Sequence, residues 1–415
     1  MLRYIALLSL LLASLLTPAQ TVLRGRVVDA ENQNPLAYAQ VRLLQAGGGI
    51  ISNEEGRFVL KLPADAQRDT LMVSYVGYRR VMLPLAGQAT DREWQIGLEA
   101  AGVTLDSVQI NPVAAAELLR RALAAVPANY HSQPIMAEAF YRELIQQGGE
   151  YTEISEAVLE LYQQSPGTAP REDVQVRLIK GRHRNAPQPF ERINIGMGGG
   201  HAQRLAGAAV TGQPTSYHFL QEKYFRLYDY NIVGTTRYEG RDVWVIEFDQ
   251  AKKLRKRLYQ GTIYLDLRSL AFALIEYRPS DQGKKYRMSQ VVSLGQRAQL
   301  AMAAALGYKF RFTGDRGRVA ATRQQGAWYL NHVSYEMAAE VETPQLEGDT
   351  PVPVRAAWEM VFTDLQHDRP AAPIEAQHRL STALTLEEQV GTYDAHFWES
   401  YQHLELSQEL QAVFE

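Results

Sequence analysis

The sequence predicts a mainly β protein with some helix: a small β-sandwich followed by an α+β region built on an antiparallel sheet. Three observations carry this expectation. Between residues 22 and 99, short alternating stretches recur at the roughly 8–12-residue spacing of sandwich strands, with polar turns between them. From residue 224 onward, longer alternating stretches follow one another as hairpins. One segment, "VAAAELLRRALAAV", instead carries its apolar residues at helical spacing.

Composition narrows the function classes. The 415-residue chain is 46% apolar and 21% charged, which supplies a packed core and lies far from disordered compositions. The formal charge of −3 gives no global pull toward nucleic acid. There is no cysteine, which removes disulfides, thiol nucleophiles, thiolate metal sites and the lipid-bearing residue of a bacterial lipoprotein. The first residues have the form of an export signal: Arg3, an apolar run from Ile5 to Leu16 broken by Ser9 and Ser14, then Thr17-Pro18-Ala19. Cleavage is expected after Ala19. That run is too short to cross a bilayer, and no later segment reaches the ~18 apolar residues a spanning helix needs. The expected place is the periplasm of a Gram-negative cell or the periplasmic side of its outer membrane.

The elements follow in order. "VLRGRVVDA" alternates and reads as a strand, and Asp29, Glu31 and Asn32 read as a solvated turn. Asn34-Pro35 turns the chain into the next strand. "ISNEEGRFVLKLP" is a hairpin whose Asn53 to Gly56 has turn chemistry, with Gly56 free to take a positive φ. "DTLMVSYVGYRRVMLPL" places two strands around Gly77, and "REWQIGLEA" closes the series. The stretches "GRVVDAENQNPLAYAQVRLL", "SNEEGRFVLKLP" and "DTLMVSYVGYRR" resemble the carboxypeptidase regulatory-like domain over residues 22–99. The resemblance implies a prealbumin-like, seven-stranded sandwich without catalytic residues, of the kind found at the N-terminus of outer-membrane receptors and related envelope proteins. The expected division is a signal peptide at 1–19, this sandwich at 20–100 and a linker at 101–111. An antiparallel-sheet region at 112–385 and an aromatic, acidic tail at 386–415 follow.

After the linker, Asn111 is placed to cap a helix and Pro112 to open it. The helix presents Leu118, Leu119, Ala122 and Val126 on one face and ends at Pro127. Strands follow around Phe140 to Glu143, "YTEISEAVLELY" and "DVQVRLIKGRH". Asn129-Tyr130, the Phe140 to Glu143 quartet, Glu156-Ala157-Val158 and Lys180-Gly181-Arg182 resemble a family of envelope proteins of unknown function. In that family these segments follow the regulatory-like domain, and "FWESY" resembles its closing motif. Gly196 to Gly200 invites a phosphate-loop reading, but no Lys-Ser/Thr follows and His201 stands where the third glycine belongs, so 195–214 reads as a loop or lid. Further on, Trp244, Ile246 and Phe248 share one strand face, with Val243, Val245 and Glu247 on the other. Another hairpin turns near Arg268-Ser269, and 307–365 reads as about four more strands. "RDVWVIEFDQ" with "GTIYLDLRSLAFALIEY" is similar to strand pairs of LolA/LolB-like lipoprotein carriers, which implies a curved half-barrel able to hold acyl chains.

Candidate chemistry is sparse. His396 and Glu399 form His-x-x-Glu, the opening of many zinc peptidase sites, and His403 would share a helical face with them. No third ligand follows at carboxypeptidase distance, and Tyr393, Phe397, Trp398 and Tyr401 read as an aromatic anchor for the tail. Neither His-Glu-x-x-His nor Gly-x-Ser-x-Gly occurs, and the remaining histidines are scattered. The pairs Glu54-Glu55 and Glu387-Glu388 read as solvated turn or helix-start residues. The densest charge is Lys252, Lys253, Arg255, Lys256 and Arg257, joined by Lys284, Lys285 and Arg287. It suits either a solubilising loop or a patch for anionic headgroups. The expectation is a non-catalytic envelope protein without cofactor that binds or scaffolds, with an outer-membrane protein, lipid or glycan as partner and no nucleic acid. A zinc hydrolase using His396 and Glu399, or an accessory part of a TonB-dependent uptake system, is the alternative. The chain is too short for a transporter's plug and barrel.

Overall fold

In a computed structural model of the protein, the described residues are 21–63, 66–88, 92–102, 112–131, 133–164, 174–186, 214, 217–283, 286, 301–302, 304–342, 350–365, 371–381, 384–401 and 404–414. The export segment, Asn111 and the glycine-rich stretch from Gly196 to Gly200 lie outside them, as do Lys284, Lys285, Arg287 and His403.

Seven short strands build the N-terminal unit: β1 (Thr21–Asp29), β2 (Gln40–Leu43), β3 (Gly49–Ile51), β4 (Arg57–Leu62), β5 (Thr70–Ser74), β6 (Val81–Pro84) and β7 (Trp94–Leu98). They form two sheets, β4-β1-β7 and β3-β2-β5-β6, with β1 and β7 parallel. Alternation supplies the core between them: Leu23 and Val27, Val41 and Leu43, Leu60 and Leu62, Leu71 and Val73, Ile96 and Leu98 are all buried. Gly56 holds φ +76°, and a Cβ there would lie 2.4 Å from the Val27 carbonyl oxygen, so the hairpin requires glycine. The Asp29 turn differs from the expected solvated one. Glu31 and Asn32 are exposed, but Asp29 is only 7% exposed. Its carboxylate accepts from the backbone N–H groups of Glu31 (2.8 Å) and Asn32 (3.1 Å) and from the Tyr78 hydroxyl (2.7 Å), which holds it below the usual carboxylate range. An aspartate engaged this way fastens the turn to the strand end.

Helix α1 (Pro112–Ala124) and the short α2 (Val126–Asn129) come next. Ala115, Leu119, Ala122 and Val126 are buried, on the helical spacing the sequence predicts. Pro127 falls in the first turn of α2, where its missing N–H costs nothing, so helix resumes there instead of ending.

Ten strands then form one antiparallel sheet: β8 (Ile135–Gln147), β9 (Glu150–Gln163), β10 (Val174–Asn185), β11 (Tyr228–Tyr238), β12 (Arg241–Gln250), β13 (Tyr259–Asp266), β14 (Phe272–Pro279), β15 (Lys309–Gln324), β16 (Ala327–Glu342) and β17 (Val352–Leu365). Their order is β10-β9-β8-β17-β16-β15-β14-β13-β12-β11, so β17 stitches two meanders together. The sheet is curved and open, with β10 and β11 at its edges. Register shifts, as at Leu178/Lys180, Ile232/Gly234 and Phe312/Gly314, supply bends. The described residues of 307–365 form three long strands, where about four were expected. Thr313 to Gly317 has turn composition, yet a bulge carries β15 straight through it.

The two faces of this sheet differ. One is apolar: Tyr141, Leu159, Met360, Ile246, Phe248 and Ile263 pack beneath α1, the 3₁₀ turns His218–Leu220 and Glu222–Leu227, and Leu380 and Leu386 of the C-terminal segment. The other face meets the sandwich, where Phe140, Val158 and Val361 join the sandwich's own core. Polar bolts reinforce the join. The Gln40 side-chain amide donates to the Tyr238 hydroxyl at 2.6 Å, the Tyr238 hydroxyl donates to the Ala321 carbonyl at 2.9 Å, and Arg42 lies 3.8 Å from Glu239.

Candidate functional site

The face that meets the sandwich carries a row of charge. Register brings one residue from each successive strand into line: Arg182 of β10, Glu156 of β9, Arg142 of β8, Glu359 of β17, Ser334 of β16, Arg318 of β15, Glu276 of β14 and Thr262 of β13. Signs alternate along it, as favourable cross-strand pairing requires. Arg142 reaches Glu156 at 2.6 Å and lies 3.6 Å from Glu359. Arg182 pairs with the other oxygen of Glu156. Arg318 donates to Glu276 at 3.1 Å and to Nδ1 of His332 at 3.1 Å. Arg142 and Glu156 are 3% and 1% exposed, so they are fully desolvated charges held by one another.

A cleft of about 650 Å³ lies over the middle of this row. The sandwich closes one side with Tyr38, Asn53, Glu54 and Tyr75. The sheet forms the floor with Arg142, Arg318, Ser334 and Glu359, and the tail contributes Leu404, Glu405, Ser407 and Leu410. Tyr38 stacks on His332 (ring centroids 5.4 Å apart) and lies under the Arg318 guanidinium at 5.6 Å. The tail is tied down at both ends of the cleft: Arg142 donates to the Leu404 carbonyl, and the backbone N–H of Gln408 donates to Glu55 at 2.9 Å.

Electrostatics single out Glu359. Burial pushes its carboxyl up to about 7, the Arg142 charge works against that shift, and the carboxylates of Glu54 and Glu156 add to it. Burial and the neighbouring Arg318 charge hold the His332 imidazole well below its ordinary value, so it is neutral. Because Arg318 donates to Nδ1, the remaining proton sits on Nε2. That N–H is buried without a hydrogen-bond partner and lies 3.9 Å from Glu359 Oε2. Glu54, on the exposed sandwich turn, faces the same cleft.

The residues singled out from sequence fall elsewhere. Lys252, Lys253 and Arg255 are exposed on the β12–β13 loop, while Lys256 and Arg257 are half-buried. Arg257 is committed to the fold, donating to the Thr313 carbonyl at 3.1 Å. The three bases Lys284, Lys285 and Arg287 lie outside the described residues, so the second half of that patch has no placement. His396 is exposed on helix α3 (Ala395–Ser400), and the Glu399 side chain lies outside the described residues. Among the described residues, no three His, Asp or Glu side chains are grouped to hold a metal ion. The aromatic tail does dock: Trp398 is 2% exposed with Arg182 over its ring at 4.5 Å, Phe397 stacks on Tyr401, and Tyr401 donates to Glu138 at 2.6 Å. Asp394 caps α3 through the Phe397 N–H and binds Lys180 at 2.9 Å.

The sequence does not mark the row as a site, although half of it lies in the segments that resemble the envelope family. Arg142 belongs to the Phe140 to Glu143 quartet, Glu156 and Val158 to the next, Arg182 to the third, and Trp398 to "FWESY". The fold brings all four together. Asn129 and Tyr130 act separately, donating to the carbonyls of Ser269 (2.7 Å) and Phe272 (3.1 Å) and so docking the helix on the β13–β14 hairpin.

Residues 23–110 match the family model of the CarboxypepD_reg-like domain. The sandwich is a CarboxypepD_reg-like domain. The cleft is thus a boundary site, with the CarboxypepD_reg-like domain as one wall and the curved sheet as the other. No curated protein matches the chain. Among solved structures it is similar to a DUF1329 family protein from Desulfovibrio piger, with 12% identity, 60% of this chain and 92% of that one covered, and a TM-score of 0.22. A LolA superfamily protein from Nitrosomonas europaea gives 11% identity, 61% and 97% coverage and a TM-score of 0.20. A protein of unknown function from Bacteroides fragilis gives 13% identity, 83% and 98% coverage and a TM-score of 0.16.

Proposed function

We propose that this is a non-catalytic, exported envelope protein that holds a polar ligand in the cleft between its CarboxypepD_reg-like domain and its curved sheet. The observation that carries the reading is the charged row under an open cleft: a floor of Arg142, Glu359, Ser334 and Arg318 beneath the aromatic rings of Tyr38 and Tyr75. Such a lining suits a ligand rich in polar groups and excludes an acyl chain, which would strip water from charges and return nothing. The apolar face is the place for an acyl chain, and there Phe219 stacks on Phe248 at 4.4 Å with Tyr228, Tyr230 and Tyr277 around them, filling it with the protein's own rings. Glu276 and Glu336 of the floor pair with arginines, an arrangement of fixed charge that favours binding over hydrolysis.

Native mass spectrometry of the exported protein tests this. A bound small molecule is expected on the wild type and lost in two variants that fill the cleft from opposite walls, Ala37→Trp and Ala357→Phe. An adduct that survives both substitutions, or no adduct and no thermal shift with any envelope glycan or peptide, would refute the reading.

A further inference from the structure

We infer that the cleft's ligand carries a cationic nitrogen, an ammonium or guanidinium group, held between Glu54 of the sandwich and Glu359 of β17. This rests on the cleft being the binding site and names the chemistry it selects. Glu54 and Glu359 come from opposite walls of one cleft, and neither carboxylate has a hydrogen bond among the described residues. The other acids are paired: Glu276 of the floor with Arg318, Glu336 with Arg316 and Arg355, Glu156 beside the cleft with Arg142 and Arg182, and Glu405 of the tail with Arg24 at 3.8 Å. Glu359 sits only loosely beside its partners, 3.6 Å from Arg142 and 3.9 Å from His332.

A second observation points the same way. The buried Nε2–H of His332 is unpartnered and lies 3.9 Å from Glu359 Oε2. A donor placed there is satisfied when the Glu359 carboxyl moves onto it, and most strongly when that carboxyl is an anion. The groups around Glu359 are Arg142 on β8, Glu156 beyond it on β9, His332 and Ser334 on β16, Arg318 on β15, and Glu54 from the sandwich. Two of these are acids that oppose its ionisation, and Arg142 is already shared with Glu156. A cation entering between Glu54 and Glu359 removes the repulsion between them. Glu359 then gives up its proton, closes on His332 and Arg142, and keeps lone pairs for the ligand. Tyr38 and Tyr151 line the same cleft, and the Glu54 charge acts on both phenols, which places aromatic walls beside the acid pair. Glu54 approaches from the sandwich, so the cation also draws the two walls together.

The source of the nitrogen is an amino sugar or a basic peptide, and the probes separate them. Titration calorimetry would compare the tetramer of glucosamine with its fully N-acetylated form, and trilysine with its Nε-acetylated form. At least one amine probe is expected to bind about tenfold or more tighter than its acetylated twin. That preference is expected to vanish in Glu359→Gln and in Glu54→Gln, whose side chain is exposed and makes no hydrogen bond among the described residues, so that its loss does not act by unfolding the chain. Repeating the titration near pH 7 in buffers of different ionisation enthalpy is expected to show proton release in the wild type and none in Glu359→Gln. Equal binding of amine and acetylated probes, or an amine preference that survives both variants, overturns the cationic site and leaves the polar cleft standing. If no probe binds and the cleft-filling variants keep the native adduct, both readings fall.

Discussion

Removing Glu156 tests whether the charged row is structural at its buried end. Glu156 accepts from Arg142 on one oxygen and pairs with Arg182 on the other, and it is 1% exposed. In Glu156→Ala the Arg142 guanidinium stays buried, with only Glu359 at 3.6 Å and the Leu404 carbonyl to face. Breaking a buried pair from one side costs about 3–5 kcal/mol, mostly as an uncompensated buried charge. Unfolding entropy near 2.1 cal/mol/K per residue gives roughly 0.9 kcal/mol/K for the 415-residue chain. The melting temperature should therefore fall by about 3–6 °C in scanning calorimetry. Lys309–Glu342 is the control: another cross-strand pair, but 77% and 44% exposed, so Glu342→Ala should cost less than ~1 kcal/mol. A Glu156→Ala protein that melts within about 1 °C of wild type, or no lower than Glu342→Ala, refutes the claim that burial gives the row its strength.

Glu359→Gln should separate from wild type as pH rises. The folded carboxyl is raised to about 7 from 4.5, so wild type loses stability between those values, by up to about 3 kcal/mol above the upper one. Urea midpoints of the two proteins should coincide near pH 4 to 5 and favour the variant at about pH 8, and parallel curves would contradict this. Gly56→Ala should cost about 2–3 kcal/mol by chemical denaturation, since φ +76° and a Cβ 2.4 Å from the Val27 carbonyl are both unfavourable. Reversing the charges of Lys252, Lys253 and Arg255, which form no ion pair among the described residues, should leave the melting temperature unchanged. If that loop meets an anionic surface, sedimentation with anionic vesicles is lost in the variant and in ~0.5 M salt, and equal binding by both proteins discards the patch.

What the sequence disclosed was local. The face of β12 read from alternation is the face observed: Ile246 and Phe248 enter the apolar cluster under α1, and Val243 the cluster on the opposite side. Gly56 was legible because a turn demanding positive φ leaves its mark in a few adjacent residues. The expected strand number over 307–365 was one too high, and at Thr313 to Gly317 a bulge and a turn draw on the same glycine and aspartate. The charged row was beyond local reading. Arg142 and Glu359 pair only because β17 returns to β8 across more than half the chain, and one residue of slip would send either side chain to the other face. Taken singly, each is one charge in an alternating strand and reads as solvent-facing.

The same register joins stability to the binding proposed for this protein. The left end of the row, Arg182–Glu156–Arg142, is closed over by the tail and saturates its own hydrogen bonds. Three strands further on, Arg318 and Glu276 saturate each other again. Glu359 lies between these two closed pairs, opposite Ser334, where the alternation of charge skips a position and leaves an acid without a cation of its own. Under an apolar cover that gap would be repaired by a neutral residue at no loss. Here it opens into a cleft whose far wall adds a second acid, Glu54, and so deepens the deficit. A fold that tolerates two opposed carboxylates at its domain boundary is less stable than one that does not, and a ligand that neutralises them recovers the difference. The substitution that makes the free protein sturdier, Glu359→Gln, should therefore be the one that empties the cleft.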